Sequence, residues 1–406
     1  MRNTDHPVNI PRRRAMAAGL GAAALSALPF RVAMAESGDI VIGAAQPITG
    51  VFSFAGVGLN QGLGDYCNWR NEQGGVAGRR LRYISEDSVY KMDHEMAIFK
   101  KLMGEYKPPF FFGGSTGWAK VAAKEVEPLN TTLTSGVGFS SELADPALHP
   151  YHFIAAPTYV AMGGILLEYI SSKASGSSKP SVAIVYSDTE FGRDPIPGIK
   201  ARAEALQIPI VLEVVTKPGA VDVSSEVAKL RRAKPDYIIF HGYVLAPIPE
   251  FIKQMREAGM KAIPMGTIWS MDKTTVSSMG AAAEGWVGVM PYRYSYETDN
   301  APMMKEMADY VSRTYPDQGY ITLFNTHTWF AGMIFAEIAE RCINADKALT
   351  GENMKQALES IENWDTGGIM GLPASLKSHQ IPIGRIYEYD VKSELMRPIS
   401  DWIETS

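Results

Sequence analysis

Phe110–Ala119 reads FFFGGSTGWA. Three aromatics run into two glycines, two hydroxyl residues, a third glycine and a tryptophan. A short apolar run closed by turn residues predicts a buried strand. The segment from Trp118 to Pro128 predicts a helix. Between them lies a loop with two readings. Glycine lets another group reach the backbone, and hydroxyls with N–H groups at a helix start favour an anion. The plainer reading is a turn in which Ser115 or Thr116 only caps the helix. A phosphate loop is disfavoured, because G-x-x-x-x-G-K-[ST] is absent and Lys120 is misplaced for it.

The same unit recurs on both sides. DIVIGAAQPIT, LRYISED and TTLTSG predict strands, and helical segments follow the first two, one stopping at Gly74-Gly75 and one over 93–106. A second set follows: strands in PSVAIVYSD, IVLEVVTK, DYIIFHGY, AIPMGTIWS and GWVGVMPYR, with helices at 199–206, 224–233 and 248–258. SSKASGSSKP between the sets reads as a surface turn. Long helices are expected at 302–313 and 324–343. RIYEYDV and RPISDWIE read as a closing hairpin. Strand–helix alternation of this kind predicts an α/β chain of two doubly wound parallel-sheet lobes. In such sheets ligands bind at the carboxyl ends of the strands. The loops there are Gly114–Trp118, Ser135–Phe139, Asp188–Phe191, His241–Tyr243 and Thr267–Trp269. They share glycine, hydroxyls and large aromatics, with almost no charge.

Composition narrows the function. With 406 residues, 46% hydrophobic and 20% charged, the chain has room for two domains. A net charge of -5 leaves no nucleic-acid footprint. Two cysteines, Cys67 and Cys342, are too few for a disulfide scaffold or a cysteine-rich metal site and are expected free. PRRRAMAAGLGAAALSALPFRVAMAES has Arg12–Arg14, a short apolar run and a small-residue site at Ala33–Ala35. It reads as an export signal of twin-arginine type over 1–35, cut near Ala35, which expects a periplasmic protein. The loops show no nucleophile–base pair and no metal-ligand spacing, so neither an enzyme, a metal nor a cofactor is expected. G-x-S-x-G is missing at Ser115, and G-x-G-x-x-G is missing after the first strand.

IGAAQPITGVFSFAG, NQGLGDYCNWRNEQGGVAGRRLRYISED, GGSTG, SGVGFSSEL, IVYSDTEFGRD and HGY come in an order that resembles one family. It is that of the periplasmic substrate-binding proteins of ABC importers, of the leucine/isoleucine/valine-binding type. The resemblance covers nearly all of the chain after residue 35, and it rests on order and spacing rather than on one motif. It implies a type I periplasmic-binding fold, two lobes joined by a three-strand hinge. One lobe would hold 36–156 and 289–383, the other 157–288 and 384–406. Hinge closure would trap a small molecule, and a monomer would deliver it to an ABC permease in the inner membrane.

For the site, the resemblance implies that Ser115 and Thr116 hold a ligand carboxylate. Phe191 and Tyr243 match positions of aromatic ligand walls. The amino-acid binders also grip an ammonium group, and the matching positions here are Phe139 and Ile268. A buried ammonium without an acceptor is costly. Phe139 and Ile268, with Val137, Trp269, Trp118 and Phe54, instead offer apolar and aromatic surface. The expected ligand is a small hydrophobic or aromatic carboxylate, an organic acid rather than an amino acid. Two alternatives stay open. A loop register shifted by one residue would let Asp272 supply the missing acid and return a branched-chain amino acid. The same lobes could also serve a ligand sensor acting through a membrane receptor. His241 is expected to be a satisfied histidine at the cleft edge, and Arg293 to make a surface or hinge ion pair.

Overall fold

The computed structural model describes residues 38–174 and 179–405. The expected export signal, 1–35, lies outside the described residues, as does the middle of SSKASGSSKP.

The first part of the chain is βα units: β1 (Ile40–Gln46), α1 (Ser53–Glu72), β2 (Leu81–Asp87), α2 (Met92–Tyr106), β3 (Phe110–Gly113), α3 (Thr116–Val126) and β4 (Leu133–Gly136). The four strands form a parallel sheet in the order β2-β1-β3-β4. The aromatic run explains why both faces of this sheet are covered. Successive side chains of a strand point to opposite faces. Phe111 turns toward α2 and α3, its ring 5.0 Å from Phe99 and 5.5 Å from Trp118. Phe110 and Phe112 turn the other way, toward Phe335 at 4.6 Å and His327 at 5.6 Å.

A second, seven-stranded sheet has the order β11-β10-β9-β8-β7-β5-β6. Its elements begin with α4 (Tyr159–Ser172), β5 (Val182–Ser187), α5 (Glu190–Arg193), α6 (Ile196–Ala205), β6 (Ile210–Thr216), α7 (Ser224–Ala233) and β7 (Tyr237–His241). They continue through α8 (Ile248–Glu257), β8 (Ile263–Gly266), α9 (Lys273–Val276) and β9 (Val287–Met290). The chain then returns to the first sheet with α10 (Pro302–Thr314), α11 (Leu323–Asn344) and α12 (Gly351–Glu359). It ends in the antiparallel hairpin β10 (Ile383–Asp390) and β11 (Leu395–Glu404). β5 to β9 are parallel and β10 joins β9 antiparallel. α11 lies against α1 and its residues supply the rings facing Phe110 and Phe112, so it is apolar almost all round.

Two boundaries differ from the expectation. α6 begins at Ile196 rather than 199, because Pro197 sits in the first turn, where its missing N–H costs nothing. AIPMGTIWS is strand only over Ile263–Gly266; Ile268–Ser270 is a 3₁₀ turn. Where the chain passes between the sheets its segments are tied together. Ile154 N–H donates to His379 O (2.8 Å), Ile381 N–H to Ala156 O (3.1 Å) and the Tyr292 hydroxyl to Ala155 O (2.6 Å). Cys67 and Cys342 are buried and free.

Candidate ligand site

The loops at the carboxyl ends of the strands of both sheets meet over a cavity of about 550 Å³, its mouth included. From the first sheet come Pro47, Phe52 and Phe54 after β1, Tyr90 after β2, Gly114–Thr116 after β3 and Val137 after β4. Phe191 after β5, Gly242–Val244 after β7 and Trp269 after β8 face them. Tyr159 and Phe324, near the starts of α4 and α11, complete the wall. Among the described residues no charged side chain lines the cavity. Its wall is mainly carbon, which suits an apolar ligand with few polar groups.

The rings pack into a continuous lining. Phe52 stacks on Tyr90 at 3.8 Å and meets Tyr243 edge-on at 5.3 Å, joining loops of the two sheets. Tyr90 reaches this place through a left-handed turn. Val89 and Tyr90 have φ of 54 and 56, and such values in a β-branched residue are strained. Their N–H groups are held by Asp87 Oδ1 (3.0 Å) and Ser88 Oγ (3.3 Å). Trp269 stacks near Phe324 at 5.9 Å, and its Nε1–H donates to Tyr159 Oη at 2.9 Å.

At the polar end, Ser115 caps α3: its hydroxyl accepts from Trp118 N–H at 3.2 Å. That hydroxyl donates in turn to Glu95, and Gly114 N–H donates to the other Glu95 oxygen at 3.0 Å. Glycine is required here, since a Cβ at 114 would stand 2.8 Å from Glu95 Oε1 and 2.8 Å from Pro47 Cδ. Glu95 is fully buried, and burial pushes its carboxyl up to about 7 against the opposing pull of these two donors. Of the two hydroxyls that the resemblance assigns to a ligand carboxylate, that of Ser115 is therefore engaged by the protein's own acid. Thr116, the first residue of α3, also lines the cavity, and first-turn N–H groups of a helix have no partner inside it.

Of the expected site residues, Ser115, Thr116, Val137, Phe191, Tyr243 and Trp269 are brought to the cavity wall, and Phe54 with them. Three are not. Trp118 is in the core, its ring laid over the end of β3 where Gly113 leaves room; a Cβ at 113 would be 1.9 Å from that ring. Phe139 is fully buried behind the wall, 5.0 Å from the Trp269 ring and 5.4 Å from that of Tyr159. Ile268 is fully buried because the 3₁₀ turn after β8 sends it inward and Trp269 to the cavity. Asp272 does not line the cavity either. It caps α9 through Thr274 N–H (2.9 Å) and accepts Leu323 N–H (2.8 Å). Phe52, Tyr90, Tyr159 and Phe324 were missed, and the positions of Phe52 shortly after β1 and Tyr90 shortly after β2 carried a sequence signal.

His241 is satisfied: its Nε2–H donates to Phe191 O (3.0 Å), leaving Nδ1 to accept from the Thr267 hydroxyl (2.9 Å). Arg293 makes no ion pair among the described residues. It donates to Gly368 O (2.5 Å) and Met370 O (3.2 Å) and lies over Trp402. Outside the cavity, Lys120 on α3 binds Glu190 (2.6 Å) and Asp194 (2.9 Å) at α5, a link between the elements of the two sheets. Among the described residues no cluster of His, Cys, Asp and Glu could hold a metal ion, and no helix is long and apolar enough to cross a membrane.

The sequence model of the periplasmic binding protein family matches residues 39–394. Leu/Ile/Val-binding protein homolog 1 of Brucella melitensis biotype 1 is 21% identical over 279 residues, which cover 67% of this chain and 72% of that protein. Among solved structures, a branched-chain amino acid ABC transporter protein from Thermus thermophilus with bound valine superposes with a TM-score of 0.81. It is 22% identical and covers 91% of this chain and 97% of its own. A solute-binding protein of an ABC transporter from Rhodopseudomonas palustris BisB5, in complex with 3,4-dihydroxybenzoic acid, gives 0.71 at 20% identity, covering 87% and 93%. A family model that runs through the first sheet, the second as far as β10 and every loop of the cavity makes this chain a member of the periplasmic binding protein family.

Proposed function

We propose that this protein is the solute-binding component of an ABC importer, and that it captures a small hydrophobic or aromatic carboxylate between its lobes. The observation that carries the reading is the cavity wall: aromatic rings from both sheets and, among the described residues, no charged side chain. An α-amino acid needs a buried acceptor for its ammonium group, and Asp272 is engaged elsewhere. The aromatic acid held by the Rhodopseudomonas palustris relative supports the same class. The valine held by the Thermus thermophilus relative supports the rival class, a branched-chain amino acid.

In this reading the lobes, 36–156 with 289–383 and 157–288 with 384–406, close by hinge bending. Ligand contacts that exist only in the closed form shift the population toward it. Thr116 and the start of α3 face the acid group, and Phe191, Tyr243 and Trp269 cover the apolar end. The protein works as a periplasmic monomer and hands its ligand to a membrane permease, without cofactor or catalysis.

The test is a thermal-shift panel on protein freed of ligand by unfolding and refolding, since a ligand raises stability by mass action. Aromatic and aliphatic acids are expected to raise the melting temperature while leucine and valine leave it unchanged. The opposite pattern assigns the site to branched-chain amino acids.

A further inference from the structure

Glu95 is a buried carboxyl whose two donors belong to the cavity wall. Gly114 N–H reaches one oxygen at 3.0 Å and the Ser115 hydroxyl reaches the other, and both residues line the cavity. Glu95 stands in the first turn of α2, and Ser115 caps α3, so the positive ends of two helix dipoles converge on one acid. Among the described residues no cation acts on it. α3 and the end of β3 present the Ser115 hydroxyl and Gly114 N–H to it, and the Ala45 carbonyl and Pro47, at the end of β1, lie beside Gly114. On α2, the neighbouring Asp93 and His94 are exposed. Tyr90, from the loop after β2, is the titratable cavity residue that feels its charge.

A ligand carboxylate at the start of α3 would lie beside this acid. Two carboxyls sharing one site do not both ionise, and one of them keeps a proton. Resting on the reading of the ligand as a small acid, we propose that Glu95 sets the charge of the ligand's head group. Where Glu95 is ionised in the free protein, a carboxylate enters together with one proton, which Glu95 takes from solvent; where Glu95 already holds its proton none is taken up, and an uncharged isostere takes up none at either end. The balance at the alkaline end is one proton in per carboxylate bound, with no bond to carbon made or broken. The desolvation that already lifts Glu95 toward neutral pH means the proton is available under ordinary conditions.

The test uses benzoate and benzamide as probes, with calorimetry from about pH 5.5 to about pH 8.5 in buffers of different ionisation enthalpy. Benzoate affinity is expected to fall about tenfold per pH unit at the alkaline end, with uptake of about one proton, while benzamide is flat. In Glu95→Gln, which keeps an acceptor for Gly114 or Ser115, benzoate becomes flat as well. Wild-type benzoate binding that ignores pH and takes up no proton overturns the proposal and leaves the acid-binding reading standing. A pH dependence that survives in Glu95→Gln also overturns it, because the probe then carries its own proton in. Failure of benzoate and of longer aromatic and aliphatic acids at every pH overturns both readings together. Wild-type proton uptake needs no variant, so the proposal remains testable if Glu95→Gln folds poorly.

Discussion

Trp269 Nε1–H donates to Tyr159 Oη at 2.9 Å, and Tyr159 Oη donates to the Val137 carbonyl at 2.8 Å. Trp269 follows β8 of the second sheet and Val137 follows β4 of the first, so this relay fixes a cavity ring across the two. Tyr159→Phe keeps the ring and removes both hydrogen bonds, whose partners Val137 and Trp269 are half-buried. A hydrogen bond of this kind contributes about 0.5–1.5 kcal/mol. The expected outcome is a lower urea midpoint and weaker binding of an aromatic acid by calorimetry.

Ser115 and Thr116 are neighbours with different roles, and their variants should separate. Ser115→Ala removes a helix cap and a donor to Glu95, a loss of about 0.5–2 kcal/mol of stability. Thr116→Val removes a hydroxyl at the wall of the cavity and keeps the shape. It should weaken acid binding about tenfold, as expected for one hydrogen bond of about 1 kcal/mol or somewhat more, with the unfolding midpoint nearly unchanged. Paired calorimetry and denaturation distinguish the two outcomes.

Lys120→Met tests the link between α3 and α5. Lys120 reaches Glu190 at 2.6 Å and Asp194 at 2.9 Å, and Asp194 is nearly buried, with its side chain 8% exposed. A partly exposed pair is worth up to about 1 kcal/mol. Ligand affinity should fall severalfold, and its dependence on salt should shrink. Titrations at low and high ionic strength check both.

Two pH effects of opposite sign are built into the core. His152, His241 and His327 are fully buried, and burial pushes them down to about 3, about 4 and about 3. The unfolded chain takes up protons near pH 6.5 that these folded histidines refuse, so their contribution is lost as pH falls below that value. Glu95, raised to about 7, acts in reverse: its contribution is present below about 4.5 and is lost as pH rises through about 7. Wild-type stability should therefore drop between about pH 6.5 and 5, by up to about 2 kcal/mol per histidine. Glu95→Gln should gain on wild type by roughly 2–3 kcal/mol above neutral pH. Denaturation midpoints of both proteins across this range measure the two effects.

A second apolar hollow of about 740 Å³ shares Phe52, Phe54, Tyr90 and Tyr243 with the cavity and opens past Val51, Pro218 and Leu245. Phe52→Ala removes one of the rings that line both. Each buried methylene is worth about 0.8 kcal/mol, so the variant should favour phenylbutanoate over benzoate by severalfold per added methylene. A calorimetric series of phenylalkanoates reads this directly.

Much of this protein is local, and that part was legible. Strand and helix periodicity follows from side chains near in sequence, so the αβ alternation, the final hairpin and the loops at the strand ends could be placed. The order of motifs pointed to the family whose model the chain matches. The face that an aromatic in a loop presents is not local. Trp118 and Trp269 both follow strands, yet Gly113 opens a seat for one in the core and a 3₁₀ turn swings the other to the cavity. Phe139 and Ile268 were indistinguishable from wall residues for the same reason, and Tyr90 arrives through a left-handed turn at Val89 that no propensity announces. The loop with which the chain's reading began showed its glycines and hydroxyls plainly. Packing α2 beside β1 and α3 supplied what it binds first: Glu95, 19 residues upstream of Gly114. Residue types and their order set the donors and the fold, whereas tertiary packing chose which acid those donors meet, because burial and contact between distant segments exist only in the folded chain.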